Sequence, residues 1–234
     1  LPDLTQWGEV DRRPLSGIRK ATAGAMSLSW STIPHVTQFD QADITSLDAF
    51  RQRHKDRSLT LTAIMVKLSS GTLAAFPQFN ASLDTAAQEL VIRKYINIGV
   101  AVDTDRGLLV PVIRNVDAKS LDDVAAELAD LAQRARARKA THDDLSGAGF
   151  TVTNLGGVGT TYFSPLVNWP QVAILGLGRA RLQPVHLHGA FQPRLIMPLS
   201  LSYDHRVIDG ADAARFLRHL AESVENPWLA GPGD

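Results

Sequence analysis

Three β-branched or apolar runs, Gly149–Leu155, Val172–Leu182 and Arg194–Ser202, follow one another between two amphipathic segments, and this succession constrains the fold most. Each run reads as a strand, whereas Ser120–Ala140 and Ala211–Val224 carry apolar positions at three-to-four spacing and read as helices. In the first of these, Ser120 stands as N-cap with Asp123 three residues on, and Leu121, Val124, Leu128 and Leu131 share one face. Acidic residues fill its first half and Arg134, Arg136, Arg138 and Lys139 its last, the order that complements the helix dipole. That basic cluster reads as a solvated helix end, with a phosphate site as the alternative.

Upstream, Ile18–Trp30, Asp43–Lys55 and Leu59–Phe76 have helical spacing, and Pro34 forces an extended exit into a strand over His35–Asp40. The β-branched runs Leu90–Asp103 and Leu108–Arg114 flank Asp105-Arg106-Gly107, which predicts a hairpin with Gly107 in the turn. Helices and strands mix without strict alternation, so the expected fold is α/β, a mixed β-sheet covered by helices. Residues 1–15 read as an N-terminal arm or linker remnant and 16–234 as one domain.

Composition narrows the chemistry. Lys plus Arg and Asp plus Glu each total 24, so no net positive field favours nucleic acid. The chain has no cysteine, which removes thiolate metal sites and a cysteine nucleophile. The longest apolar stretches, such as Val172–Leu177, fall far short of the roughly 20 residues of a bilayer span, so a soluble chain is expected.

Among seven histidines, His54, His142 and His219 sit in polar surroundings and read as solvated. His186 and His188 alternate as on one strand face, but no third ligand completes a metal site and none is expected. His205 differs, because Leu199–Tyr203 is a strand pattern that ends at Asp204-His205-Arg206-Val207-Ile208-Asp209-Gly210 before a helix. A rigid strand end can present an imidazole that takes a proton near neutral pH, although a structural loop explains the same residues. In Phe150–Gly159 a strand runs into glycines; the nucleotide-binding GxGxxG pattern fails at Tyr162 and no phosphate-loop lysine follows. The glycines there suit close backbone approach, with Thr153 or Asn154 offering a polar group to a pocket.

Taken together, SLSYDHRVIDG (200–210), IPHVTQF (33–39), GLLVPVIRNVD (107–117), FTVTNLGGVG (150–159) and NWPQVAILGLGR (168–179) resemble the catalytic core of the dihydrolipoyl acyltransferases of 2-oxo acid dehydrogenase complexes. That family shares its fold with chloramphenicol acetyltransferase, and the motifs look most like its pyruvate (acetyl) class. The resemblance implies acyl transfer between dihydrolipoamide and coenzyme A, both substrates, without an acyl-enzyme or a metal. It implies His205 as general base, Asp209 as the motif acid that orders the loop, through an arginine such as Arg19, and Thr153 as the oxyanion hydroxyl. Asp103, Phe163 and Leu175 fall on the family's substrate-channel positions.

Further implied are a homotrimer with sites between subunits, and as partners a lipoyl domain, a decarboxylase and dihydrolipoamide dehydrogenase. The end Asn226–Asp234 departs from the apolar hook that joins pyruvate-class trimers into a cubic core, which leaves that assembly open. Two alternatives stand beside this reading: an antibiotic O-acetyltransferase of the same fold, and a non-catalytic scaffold.

Overall fold

The computed structural model describes residues 1–105 and 107–226. Elements follow as α1 (Gly17–Thr32), β1 (His35–Asp43), α2 (Thr45–Arg53), α3 (Leu61–Ala75), β2 (Ala81–Asp84), β3 (Glu89–Ile92), β4 (Ile98–Val100) and β5 (Val102–Thr104). Then come β6 (Gly107–Leu109), β7 (Val112–Ile113), α4 (Leu121–Arg136), β8 (Phe150–Asn154), β9 (Ala173–Leu177), β10 (Arg181–Leu187), β11 (Ala190–Asp204) and α5 (Gly210–Glu225). The main sheet runs β1-β11-β9-β8-β4-β7, with β10 folded back along β11. Its β4–β8 and β8–β9 pairs are parallel and the others antiparallel, so the sheet is mixed and helix-covered, as expected.

Alternation along the strands sorts the sheet into two unlike faces. Leu199, Leu201 and Tyr203 of β11, Leu175 and Leu177 of β9 and Phe150 and Val152 of β8 are buried in one apolar core with α3, α4 and α5. Phe216 of α5 centres that core, stacked on Phe79 at 4.1 Å and tilted against Phe150 at 5.9 Å. The opposite face carries Ser200 and Ser202, Thr151 and Thr153, and Thr37 of β1, whose hydroxyl lies 2.8 Å from that of Ser202. Residues 155–172 cover this polar face: Tyr162 meets Phe39 edge-on at 5.5 Å, and Val167 packs with Ile33 and Ile174.

Several sequence expectations need correction. The strand expected over 90–103 is three pieces, because Glu89–Ile92 pairs with Ala81–Asp84 in a separate hairpin that lacked a signal of its own. Asp84 closes that turn by accepting from the Ala86 and Ala87 amides. The expected 172–182 strand is interrupted after Leu177, where the Arg179 amide turns to the Thr160 carbonyl at 2.8 Å, and pairing resumes in β10 at Arg181. His188 lies in the β10–β11 turn at φ 52°, off the strand that carries His186, so the two do not share a strand face. The hairpin about Gly107 forms as expected, with Gly107 at φ 130°. Asn226 ends the described residues; the C-terminal departure over 227–234 lies outside them, as does Arg106 of the expected turn.

Candidate active site

His205 leaves the end of β11 exposed to solvent, one residue beyond the β1–β11 ladder, and its amide donates to the Pro34 carbonyl at 3.2 Å. Its neighbour Asp204 is buried and accepts from the Arg206 amide at 3.0 Å, Nε at 2.9 Å and Nη2 at 2.6 Å. Three donors from one residue close the loop tightly around His205, and the same contact raises the Arg206 guanidinium above its ordinary pKa. Tyr203 lies 5.9 Å from the His205 ring; burial and then the Asp209 charge push its phenol up. Asp209 caps α5, accepting from the Asp212 amide at 2.8 Å, which ties the end of the loop to the helix.

Thr153 sits on β8, almost buried on the polar sheet face. Its partner on β9 is Gly176, where a Cβ would stand 2.8 Å from the Phe163 ring, so Phe163 lies against the backbone beside Thr153. Asn154 turns away from that surface: its amide donates to Thr62 of α3 at 2.9 Å and its Oδ1 accepts from Gly156 at 2.9 Å. Arg179 clamps the following turn, donating to the Gly156 and Gly157 carbonyls at 3.0 and 3.3 Å. A side chain on Gly156 would meet the Gly178 carbonyl at 2.7 Å, which is the close backbone approach expected of these glycines. The Arg179 clamp was invisible in sequence, since it joins an arginine to carbonyls 22 and 23 residues earlier.

The chain does not bring these groups together. Thr153 pairs with Gly176 and Gly176 with Ser200, so Thr153 and His205 are two strand spacings apart across the sheet and five residues apart along it. At about 4.8 Å per strand and about 3.3 Å per residue this amounts to about 19 Å, too far for one reacting atom to touch both. The channel positions scatter likewise. Asp103 is exposed on the β5–β6 hairpin opposite Leu108, and Leu175 is fully enclosed in the core on the helix side, with no surface of its own in the single chain. Only Phe163 accompanies Thr153.

Among the described residues no cluster of three metal-ligating side chains occurs. The basic end of α4 is largely self-compensated: Arg134 bonds to Asp130 and Asp144, and Arg138 to Asp105.

A family profile, 2-oxoacid dehydrogenases acyltransferase (catalytic domain), matches residues 8–231. The acetyltransferase component of the pyruvate dehydrogenase complex of Pseudomonas aeruginosa is 50% identical over 226 residues, 94% of this chain and 41% of that protein. The chain thus spans less than half of that relative. Among solved structures, Azotobacter vinelandii dihydrolipoamide acetyltransferase, studied for the catalytic role of a serine, a histidine and an asparagine, superposes with TM-score 0.95 at 47% identity over 97% of this chain and 96% of that one. The cubic core of a pyruvate dehydrogenase multienzyme complex matches with the same TM-score of 0.95, identity of 47% and coverage of 97% and 96%. Chloramphenicol acetyltransferase shares the fold alone, at TM-score 0.52 and 15% identity over 87% of this chain and 92% of that one.

Proposed function

The chain belongs to the 2-oxoacid dehydrogenase acyltransferase (catalytic domain) family, and from that premise we propose that it transfers an acetyl group between dihydrolipoamide and coenzyme A as the core of a pyruvate dehydrogenase complex. The observation that carries the site assignment is one of spacing. In the Azotobacter enzyme the intervals from the serine to the histidine and from the histidine to the asparagine equal those from Thr153 to His205 and from His205 to Asp209. A hydroxyl stands at the first position in both chains.

His205 removes the proton from the coenzyme A thiol, which near pKa 8.5 is mostly protonated at neutral pH. The thiolate attacks the acetyl carbonyl carbon of the thioester, and the carbonyl electron pair moves onto oxygen. The Thr153 hydroxyl donates to that oxyanion, a bond that strengthens as charge develops. Collapse breaks the carbon–sulfur bond to dihydrolipoamide, and the imidazolium returns its proton to the departing sulfur. Asp209 acts at one remove, by holding the His205 loop against α5.

The separation of about 19 Å implies that His205 of one chain works with Thr153 of the next, as a trimer closed by heterologous contacts allows. Trimers of this kind would build the cubic core and receive a lipoyl domain, a decarboxylase and dihydrolipoamide dehydrogenase as partners in the cytoplasm. A subunit-mixing experiment tests the arrangement. His205→Ala and Thr153→Ala chains should each lose about a hundredfold or more in turnover. Unfolded together in equal amounts and refolded, they should recover about a quarter of the sites, those whose two donors are both intact. Mixed trimers with no recovered activity would refute the shared site. Chloramphenicol as acceptor in the same assay tests the antibiotic alternative.

A further inference from the structure

His35 occupies a position that no part of the reaction above uses. Its Nδ1 lies 2.8 Å from the Ile33 carbonyl, and its Nε2 lies 3.0 Å from the Val167 amide nitrogen. Both partners have a single role, since a carbonyl only accepts and a backbone amide only donates. Nδ1 must therefore carry the proton and Nε2 the lone pair, so the imidazole is neutral and its tautomer is set by the backbone.

What this ring holds lies on both sides of it. Pro34, between its two neighbours in the contact, accepts from the His205 amide. Val167 begins a stretch whose next residues reach each half of the apparatus: the Gln171 side chain accepts from Thr151 Oγ1 at 2.7 Å, two residues from Thr153, and the Val172 carbonyl accepts from the Asp204 amide at 2.9 Å. The Trp169 amide donates to Ser29 of α1 at 3.1 Å. Trp30 stacks on the His35 ring at 5.9 Å.

We propose that His35 is a positioning residue for acyl transfer, a neutral imidazole whose Nε2 lone pair seats residues 167–172 against the strand of Thr153 and the loop of His205. This rests on the acyl-transfer reading. Protonating His35 puts an N–H against the Val167 N–H, two donors with no acceptor between them, and the seat opens. The charged groups around the ring do not offset this. Across the β1–β11 register stands Asp204, already committed to Arg206, with His205 beyond it. Residues 21–32 of α1 and 163–172 carry no charged side chain.

His35→Gln keeps an uncharged acceptor facing the Val167 amide and should keep most of kcat, whereas His35→Ala should lower kcat about tenfold further than His35→Gln, with KM nearly unchanged in both. Equal kcat in the two variants overturns the proposal. A second measurement reads the contact itself: hydrogen exchange of the Val167 amide at one pH in wild type and both variants. Its protection should fall at least tenfold in His35→Ala and be largely kept in His35→Gln while β9 amides keep theirs, and unchanged protection at Val167 in His35→Ala overturns the proposal. If acetyl transfer itself is absent, the exchange result still reads the seat, so the two failures are distinguishable.

Discussion

Thr153 presents one hydroxyl from an otherwise enclosed strand, and in the proposed role it is met only when the substrate carbonyl gains charge. Thr153→Ala should lower kcat by about 10²–10³ with little change in KM, and Thr153→Ser should keep most of the activity, because the donor is retained. A rise in KM alone in the alanine variant would make Thr153 a ground-state contact. The roles proposed for His205, Asp209 and Thr153 start from compact motifs, each residue lying within a few positions of a strand end or a glycine turn. His35 stands in an equally plain motif, at the start of a strand, but its partner is the Val167 amide, 132 residues away, and no local pattern reports a contact of that range.

At the scale of elements, α5 begins where the loop of His205 ends, and Asp209 supplies the cap. Asp209→Ala should cost about 1 kcal/mol in urea unfolding while Asp209→Asn, which still accepts from the Asp212 amide, should cost much less. The end of α4 is tied down differently. There the Asp144 carboxyl is held down to about 2, first by the Arg134 guanidinium and then by the Thr141 amide. Its folded-state value lies below the ordinary 3.8, so its contribution is complete above about pH 4 and is lost as pH falls towards 2. Asp144→Ala should therefore destabilise by about 0.5–1 kcal/mol at pH 7 and by much less near pH 2, as denaturant midpoints at the two pH values would show. Long periodic segments announced themselves: α4 carries the capping box that Ser120 and Asp123 predict. The 90–103 stretch misled because apolar β-branched residues fit either a long strand or three short ones. The choice is made by distant partners, Ala81–Asp84 for one piece and Phe150–Asn154 for another.

The whole molecule leaves a good deal of apolar surface uncovered. Trp30 of α1 is 68% exposed, and Leu182 and Phe191 on the β10–β11 hairpin are 71% and 75% exposed. Ile18, Met26 and Trp30 have the helical spacing that α1 shows, and Ser29 is the residue this helix buries. Such surfaces on a lone chain are the mark of an assembly, in keeping with the proposed trimer. With His205 and Thr153 about 19 Å apart, the proposed shared site would make each free chain a half-reagent whose complement can come only from solution. Specific activity should hold constant on dilution while the ring persists, then fall with a power of protein concentration above the first once chains part, and return on reconcentration. Fractions that sediment as single chains and still turn over at the full rate would contradict this.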